Sequence, residues 1–198
     1  MQFTTSALVS FLAISVFASP TSQDSEEIPT KVLTTPTVHC GEKCGESTVL
    51  PGLLVPIKEN EPNTAFGTQY RGYAAQFNNA NKISTIASFG LDASRPHCHL
   101  KFVVPDGESA NYNFYGSKQI EIYDVAPFNY QSTTWNNRPA RGVSRGVIQI
   151  KVTGESNILH FPCRFPYGEI EIAPYGGNDY AEWFELANPT LGLVMVQD

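Results

Sequence analysis

The sequence carries two short patterns that could support metal or acid–base chemistry. In the first, "RPHCHLKFVV", His97 and His99 flank Cys98, and imidazole and thiolate are common metal ligands. In a strand, however, side chains alternate between faces, so the two histidines share one face and Cys98 lies on the other with the apolar residues. The pattern therefore predicts a strand with one exposed face and no metal site. A surface pair of histidines could still bind copper or zinc weakly.

The second pattern is a pair of carboxylates in the segment "GEIEI". Glu169 and Glu171 share one face of a predicted strand, about 7 Å apart, which is close to the separation of glycosidase acid–base pairs. Glycosidase carboxylates flank the bond from opposite sides of a cleft, and neighbours on one strand cannot do so. The pair is predicted to lie on a solvated strand face. Motifs of nucleophilic hydrolases, zinc proteases and phosphate-binding loops are absent from the sequence, so no catalytic residue is assigned and the protein is predicted not to be an enzyme.

Aromatic residues in polar loops are the better candidates for a binding site. Sugar rings stack on Trp and Tyr faces, while neighbouring amides bond the hydroxyls. Two groups fit this description, "TTWNNR" and "YGGNDYAEW", and the candidate ligand-binding residues are Trp135, Asn136, Asn137, Tyr175, Tyr180 and Trp183. The alternative for each tryptophan is a place in the core. Asn and Asp in such loops also serve in ordinary turns.

The first segment, "MQFTTSALVSFLAISVFASP", is typical of a secretory signal peptide. Its apolar run is shorter than the roughly 20 residues that span a bilayer, and small or branched residues precede the predicted cleavage after Ala18. Residues 19–47 are rich in Ser, Thr, Pro and acidic residues and are predicted to form a flexible leader. Residues 48–198 suffice for one domain. The sequence thus predicts a secreted protein of the extracellular space or cell wall, not bound to membrane.

The four cysteines, Cys40, Cys44, Cys98 and Cys163, form an even set, which predicts disulfides in an oxidising compartment. Three pairings are possible. The short loop in "CGEKCG" favours Cys40–Cys44, which leaves Cys98–Cys163, a long-range bridge that would stabilise the fold by about 4 kcal/mol. The alternative, that "CGEKC" is half of a zinc site, lacks a second cysteine pair of that spacing. No metal or other cofactor is expected.

The net charge excludes some classes of partner, and the alternation of polar and apolar residues indicates the fold class. The net charge of −6 and the pI near 5.2 argue against nucleic acid and anionic membranes as partners. Segments such as "QIEIYDV" and "VIQIKV" alternate polar and apolar residues, and Gly, Pro and Asn fill the gaps. Strands are predicted at 53–57, 68–76, 83–89, 97–104, 112–115, 119–125, 147–152, 158–163, 169–172, 181–186 and 191–196. This pattern predicts an all-β protein, a single jelly-roll-like β-sandwich, and a monomer is expected.

The order of several segments resembles the C-terminal domain of the fungal But2 family. These segments are "LLVPIKENEPNTAFGTQYRG", "STIASFGLD", "CHLKFVVPDG", "GSKQIEIYDV", "FPCRFPYGEIEIAP" and "LGLVMVQD", and the resemblance runs from about residue 53 to 198. It implies the sandwich fold and the Cys98–Cys163 disulfide. The family takes its name from a protein reported to bind an activating subunit of a ubiquitin-like pathway, and its members are mostly secreted fungal proteins of no assigned activity.

A second segment, "QIEIYDVAPFNYQSTTWNNRPA", is similar to sandwich modules attached to polysaccharide-degrading enzymes, which implies glycans as a ligand class. Taken together, the sequence predicts a secreted, non-enzymatic fungal cell-wall or extracellular surface protein that binds glycan. One alternative is a secreted effector or adhesion protein that binds another protein, including the ubiquitin-like-pathway partner of the family. The other is a glycoside hydrolase that uses Glu169 or Glu171.

Overall fold

The computed structural model describes residues 46–198, and nearly all regular structure in this range is β-strand. The strands are β1 (Ser47–Val49), β2 (Leu53–Lys58), β3 (Arg71–Phe77), β4 (Ala80–Gly90), β5 (His97–Val104), β6 (Tyr112–Tyr115), β7 (Gln119–Val125), β8 (Arg141–Gln149), β9 (Gly154–Glu155), β10 (Leu159–Pro162), β11 (Tyr167–Pro174), β12 (Asp179–Phe184), β13 (Leu186–Ala187) and β14 (Thr190–Gln197). A 3₁₀ turn, Ser109–Asn111, precedes β6. The predicted signal peptide, most of the leader and the predicted Cys40–Cys44 loop lie outside the described residues.

The strands form two antiparallel sheets that pack face to face. The first sheet has the order β1-β14-β5-β10, with β9 beside β5 and β13 beside β14. The second has the order β6-β12-β3-β4-β11-β7-β8, with β2 paired to β4. The predicted all-β sandwich is therefore confirmed. Within residues 46–198, no helix has the length and apolar character needed to cross a membrane.

The core lies between the two sheets and follows from the period-two pattern of the strands. In β5 every second residue is buried, from Cys98 to Val104, because alternate side chains of a strand point to opposite faces. Ile120 and Ile122 of β7 face the core in the same way. The other large side chains that are fully buried include Phe89, Phe102, Leu100, Ile148, Ile170, Ile172 and Trp183.

Trp183 belongs to the centre of this core. It is 0% exposed, and its ring meets that of Phe102 edge to face, with 5.3 Å between centroids. On the neighbouring strand, Gly72 lies so close that a Cβ atom there would be 2.1 Å from the indole. The indole therefore has no free face for a ligand, and Trp183 is a core residue rather than the ligand-binding residue predicted from the sequence.

The predicted Cys98–Cys163 disulfide is confirmed, with 5.1 Å between the two Cα atoms. Cys98 is fully buried, whereas His97 and His99 point to the other face of β5, as the strand pattern predicted. The bridge joins β5 to the residue that follows β10, and its sequence separation of 65 residues closes a long loop. Such a bridge stabilises a fold mainly by restricting the unfolded chain.

Of the predicted strands, 147–152 departs most from the structure. The prediction of 147–152 was wrong at both ends, because β8 runs from Arg141 to Gln149. Its first half has no apolar alternation and is held instead by pairing with β7 and by two ion pairs, Arg141 with Glu171 and Arg145 with Asp124.

Candidate functional site

A loop covers one part of the outer face of the second sheet. Residues 126–140, between β7 and β8, lie over a small apolar cluster of Ile57, Ile86 and Val125, against which Phe128 and Trp135 pack. Apolar residues on the outer face of a sheet need such a cover, because their exposure to water would be unfavourable. This loop contains the first group of predicted ligand-binding residues.

The residues of that group hold the loop in place. The Trp135 ring is half-buried on the cluster, and the Arg138 guanidinium lies 3.9 Å from its centroid. Asn136 donates a hydrogen bond of 2.8 Å to Asn63 Oδ1. Asn137 Oδ1 accepts one of 2.6 Å from the Thr134 amide, which closes a turn. This placement gives Trp135, Asn136 and Asn137 evident structural roles.

The second group of predicted ligand-binding residues is divided, because side chains of β12 alternate between the two faces of the sheet. Tyr180 and Glu182 point outward, whereas Ala181 and Trp183 point into the core. Tyr175 is 53% exposed and lies in the loop between β11 and β12. Of the predicted aromatic residues, the structure therefore places Tyr180 on an open strand face and separates it from Trp183.

Around Tyr180, the outward side chains of three adjacent strands form a continuous surface, which we call the aromatic face. It consists of Arg71 and Tyr73 from β3, Tyr115 from β6, and Tyr180, Glu182 and Phe184 from β12. Neighbouring strands align these residues in rows. Tyr180 pairs with Tyr115, Glu182 with Tyr73, and Phe184 with Arg71. Tyr115 is 65% exposed, so this face is open to solvent at the edge strand β6.

Hydrogen bonds and a cation–π contact hold four side chains of the aromatic face. The Arg71 Nη1 group donates to Glu182 Oε1, and the Tyr180 hydroxyl donates to Glu182 Oε2 at 2.6 Å. The Arg71 guanidinium also lies 4.0 Å from the centroid of the Phe184 ring. Side chains that are held in this way lose little further entropy when a ligand binds.

The electrostatics of the aromatic face favour neutral hydroxyls and a balanced charge. Burial, followed by the hydrogen bond to Glu182, raises the pKa of Tyr180 well above its ordinary value. Burial and the Glu182 charge likewise raise the pKa of Tyr73. Both phenols therefore remain protonated donors near neutral pH. Since Arg71 and Glu182 neutralise each other, the aromatic face carries no net charge.

A small indentation of about 80 Å³ adjoins the aromatic face. It is lined by Arg71, Ala110, Asn111, Tyr112, Asn113, Glu182 and Phe184. Guanidinium, carboxylate and amide groups therefore converge beside the exposed tyrosines. The volume suits a single hydroxyl or amide group of a ligand rather than a whole substrate, and the arrangement can recognise a surface by stacking and hydrogen bonding.

The prediction that Glu169 and Glu171 line a solvated face is wrong for Glu171. Its side chain is 0% exposed and accepts two hydrogen bonds from Arg141, at 3.0 Å from Nε and 2.7 Å from Nη2. Glu169 is half-buried, and its burial raises the pKa of its carboxyl group. Because Glu171 is held by a guanidinium in the covered part of the sheet, the pair does not form an acid–base couple across a cleft.

Sequence reasoning missed five residues of the aromatic face, Arg71, Tyr73, Tyr115, Glu182 and Phe184. One local signal was available: in "DYAEWF" the alternation separates Tyr180, Glu182 and Phe184 from Ala181 and Trp183. The pairing of β12 with β6 and β3 is long-range, and no local pattern of the sequence predicts it.

A β-sandwich that presents fixed aromatic and hydrogen-bonding side chains on an open strand face has the architecture of a binding module. The sequence model of the family described as "Ubiquitin 3 binding protein But2 C-terminal domain" matches residues 49–189. The protein therefore belongs to the But2 C-terminal-domain family, as its segments predicted. This is a family of binding proteins rather than a known enzyme family. No curated protein matches the chain.

Proposed function

We propose that the protein is a secreted, non-enzymatic fungal surface or cell-wall protein that binds a neutral polysaccharide through the aromatic face. The observation that carries this proposal is the joint placement of Tyr73, Tyr115 and Tyr180 around the Arg71–Glu182 pair on three adjacent strands. The binding unit is a single chain, because the aromatic face is complete within one copy.

Glycan binding requires the two elements that this surface combines. The apolar faces of sugar rings pack on aromatic rings, whose negative faces attract the C–H groups of the sugar. Hydroxyl groups require fixed donors and acceptors, which Arg71, Glu182 and the amides of the indentation supply. Because the surface is open, it suits a polymer chain that runs along it rather than a small ligand enclosed in a pocket.

The balanced charge of the aromatic face favours neutral glycans over acidic ones. Arg71 and Glu182 compensate each other at the centre of the aromatic face, and the whole chain carries a net charge of −6. An acidic polysaccharide would therefore meet no unpaired cation on this surface and a repulsive overall charge. The expected ligands are the neutral polymers chitin, β-glucan and cellulose.

Secretion is supported by the N-terminal sequence and by the disulfide. The apolar run and the small residues before Ser19 are typical of a signal peptide, and the Cys98–Cys163 bridge suits an oxidising compartment. N-terminal sequencing of protein from a cell-free culture supernatant should give a chain that begins at Ser19. Protein found only in the cytosol with Met1 intact would contradict secretion.

Binding can be tested by retention on insoluble chitin, β-glucan and cellulose. We expect the parent protein to be retained weakly on at least one polymer, and the variants Tyr115→Ala and Tyr180→Ala to be lost to the flow-through while they remain folded. Trp135→Ala is the matched control, since that ring is occupied by the loop cluster and Arg138. Retention that depends on Trp135 rather than on the two tyrosines would refute the aromatic face as the site.

A protein ligand is the second candidate, and the family description favours it, because it names binding to ubiquitin 3. Tyr and Arg are also the residues that most often dominate protein interfaces, and β6 is an edge strand of the second sheet as residues 46–198 form it. If no polymer retains the parent and Tyr115→Ala weakens binding to a ubiquitin-like protein, the ligand of the aromatic face is protein rather than glycan.

A further inference from the structure

Two histidines that are distant in the sequence lie next to each other on the outer face of the first sheet, because they belong to adjacent strands. His99 of β5 and His160 of β10 are directly paired in the strand register. Their Nδ1 atoms lie 2.5 Å apart, and the rings are nearly perpendicular, with an interplanar angle of 79°. The two nitrogens therefore face each other at the surface, at the distance of a short hydrogen bond.

The carboxylate of Asp198 determines which ring nitrogen of His99 carries the proton. Asp198 Oδ1 lies 3.0 Å from His99 Nε2, so we assign the His99 proton to Nε2, from which it is donated to the carboxylate. This leaves a lone pair on His99 Nδ1, directed at His160. A carboxylate behind an imidazole in this way is the usual support of a histidine that ligates a metal. The backbone of Asp198 is fixed by two reciprocal hydrogen bonds with His97, each of 3.2 Å.

We propose that His99 and His160 form a two-histidine clamp for a divalent transition-metal ion, with Cu²⁺ the preferred ion. Metal–imidazole bonds of about 2.0 Å place adjacent ligand nitrogens about 2.8 Å apart in tetragonal geometry and about 3.3 Å apart in tetrahedral geometry. From 2.5 Å, the tetragonal arrangement typical of Cu²⁺ needs the smaller movement. Cu²⁺ also has the highest affinity for nitrogen ligands among the divalent first-row ions.

The surroundings of the clamp suit an exchangeable ion. The histidines border an open groove of about 290 Å³, lined also by His97, Cys98, Phe161, Pro162 and Asp198. Among residues 46–198, no group of three His, Cys, Asp or Glu side chains could hold a metal. With the two imidazoles of the clamp as its protein ligands, the ion keeps water in its remaining positions, which gives modest affinity and rapid exchange rather than a permanent structural metal.

The neighbouring disulfide preorganises the clamp. Strand β10 has four residues and lies at a sheet edge, where a short strand would otherwise fray. The Cys98–Cys163 bridge and the hydrogen bond from the Cys163 amide to Pro96 O, at 2.8 Å, hold β10 against β5. The two imidazoles are thus kept opposite each other before any ion arrives, which lowers the entropic cost of binding.

Calorimetric titration of the oxidised mature protein with CuCl₂ and with ZnCl₂ tests the clamp. We expect one equivalent of Cu²⁺ to bind, and Zn²⁺ to bind more weakly. In His99→Ala and His160→Ala, the Cu²⁺ dissociation constant should rise by about tenfold or more, and in Asp198→Ala by about tenfold. The electron paramagnetic resonance spectrum of the Cu²⁺ complex should show hyperfine structure from two nitrogens.

The variant His39→Ala is the matched control, because it removes a histidine that is not one of the two clamp ligands. Its Cu²⁺ affinity should equal that of the parent, and thermal unfolding should show that every variant folds. The proposal is overturned if the parent does not bind Cu²⁺, if His160→Ala binds as tightly as the parent, or if the control loses the ion.

Discussion

The carboxyl group of Glu185 should make the stability of the protein depend on pH in an unusual way. Part of the residue reaches the surface, but Oε1 is buried and has no hydrogen-bond partner among residues 46–198. Oε2 accepts hydrogen bonds from the Trp183 indole N–H at 2.9 Å and the Leu193 amide at 3.2 Å. Burial raises the pKa of Glu185 to about 8, against the smaller opposing effect of these two hydrogen bonds. Near neutral pH the folded protein therefore holds this carboxyl group protonated.

The direction of the effect follows from proton binding. In the unfolded chain, Glu185 should titrate near its ordinary pKa of 4.5, so between pH 4.5 and 8 the folded state binds more protons than the unfolded state. The free energy of unfolding must then fall as pH rises through this window, and the loss is complete above pH 8. The difference between the two pKa values corresponds to about 5 kcal/mol. Because the residue is partly accessible, we expect about 3 kcal/mol.

Urea unfolding of the parent and of Glu185→Gln at pH 5 and pH 8.5 measures this difference. Glutamine has the same shape, stays neutral, and its oxygen can accept both N–H groups, so it should remove the pH-dependent loss. Relative to Glu185→Gln, the parent should lose about 3 kcal/mol between the two pH values. Glu155→Gln, at an exposed carboxylate, is the control and should keep the parent's slope. An equal pH dependence in the parent and in Glu185→Gln would refute the reasoning.

Three further variants test what holds the sandwich together, each by urea unfolding followed through tryptophan fluorescence. Arg141→Met leaves the buried Glu171 carboxylate unpaired and should cost about 2–3 kcal/mol, less than for a fully buried pair because the guanidinium is partly exposed; an unchanged midpoint would show that the carboxylate finds water. The double variant Cys98→Ala/Cys163→Ala should lose about 4 kcal/mol, and full stability without the bridge would contradict its role. Gly72→Ala places a methyl group against the buried tryptophan ring and should cost about 2 kcal/mol, whereas a neutral effect would mean that the ring can move.

The fold could be predicted from the sequence wherever a strand has one face in the core. From His97 to Phe102 in β5 and from Gln119 to Ile122 in β7, polar and apolar residues alternate, and the buried positions are those that the pattern indicates. The inward direction of Cys98 follows from the same alternation, and its bridge to Cys163 from the cysteine count and the family resemblance. Many short strands with this pattern, separated by turn residues, predict a β-sandwich.

The prediction failed where long-range contacts override the local pattern. Glu171 has the alternation of a solvated residue, but its face of the sheet is covered, and its partner Arg141 lies 30 residues earlier in the chain. Trp135 has the sequence context of an exposed loop residue, yet it packs on an apolar cluster built by other strands. The aromatic face and the histidine clamp depend on which strands are neighbours, and strand order is not encoded in any local pattern.

The proposed function rests on the aromatic face, and its most direct test is to locate the ligand on the protein. Amide chemical shifts of the isotope-labelled mature protein should be followed in ¹H–¹⁵N spectra during titration with chitin, β-glucan and cellulose hexasaccharides. The account predicts that one of these ligands shifts resonances of Tyr73, Tyr115, Tyr180 and Glu182 together, while Trp135 does not respond. Shifts confined to the loop 126–140, or no shifts with any of the three oligosaccharides at millimolar concentration, would contradict glycan binding by the aromatic face.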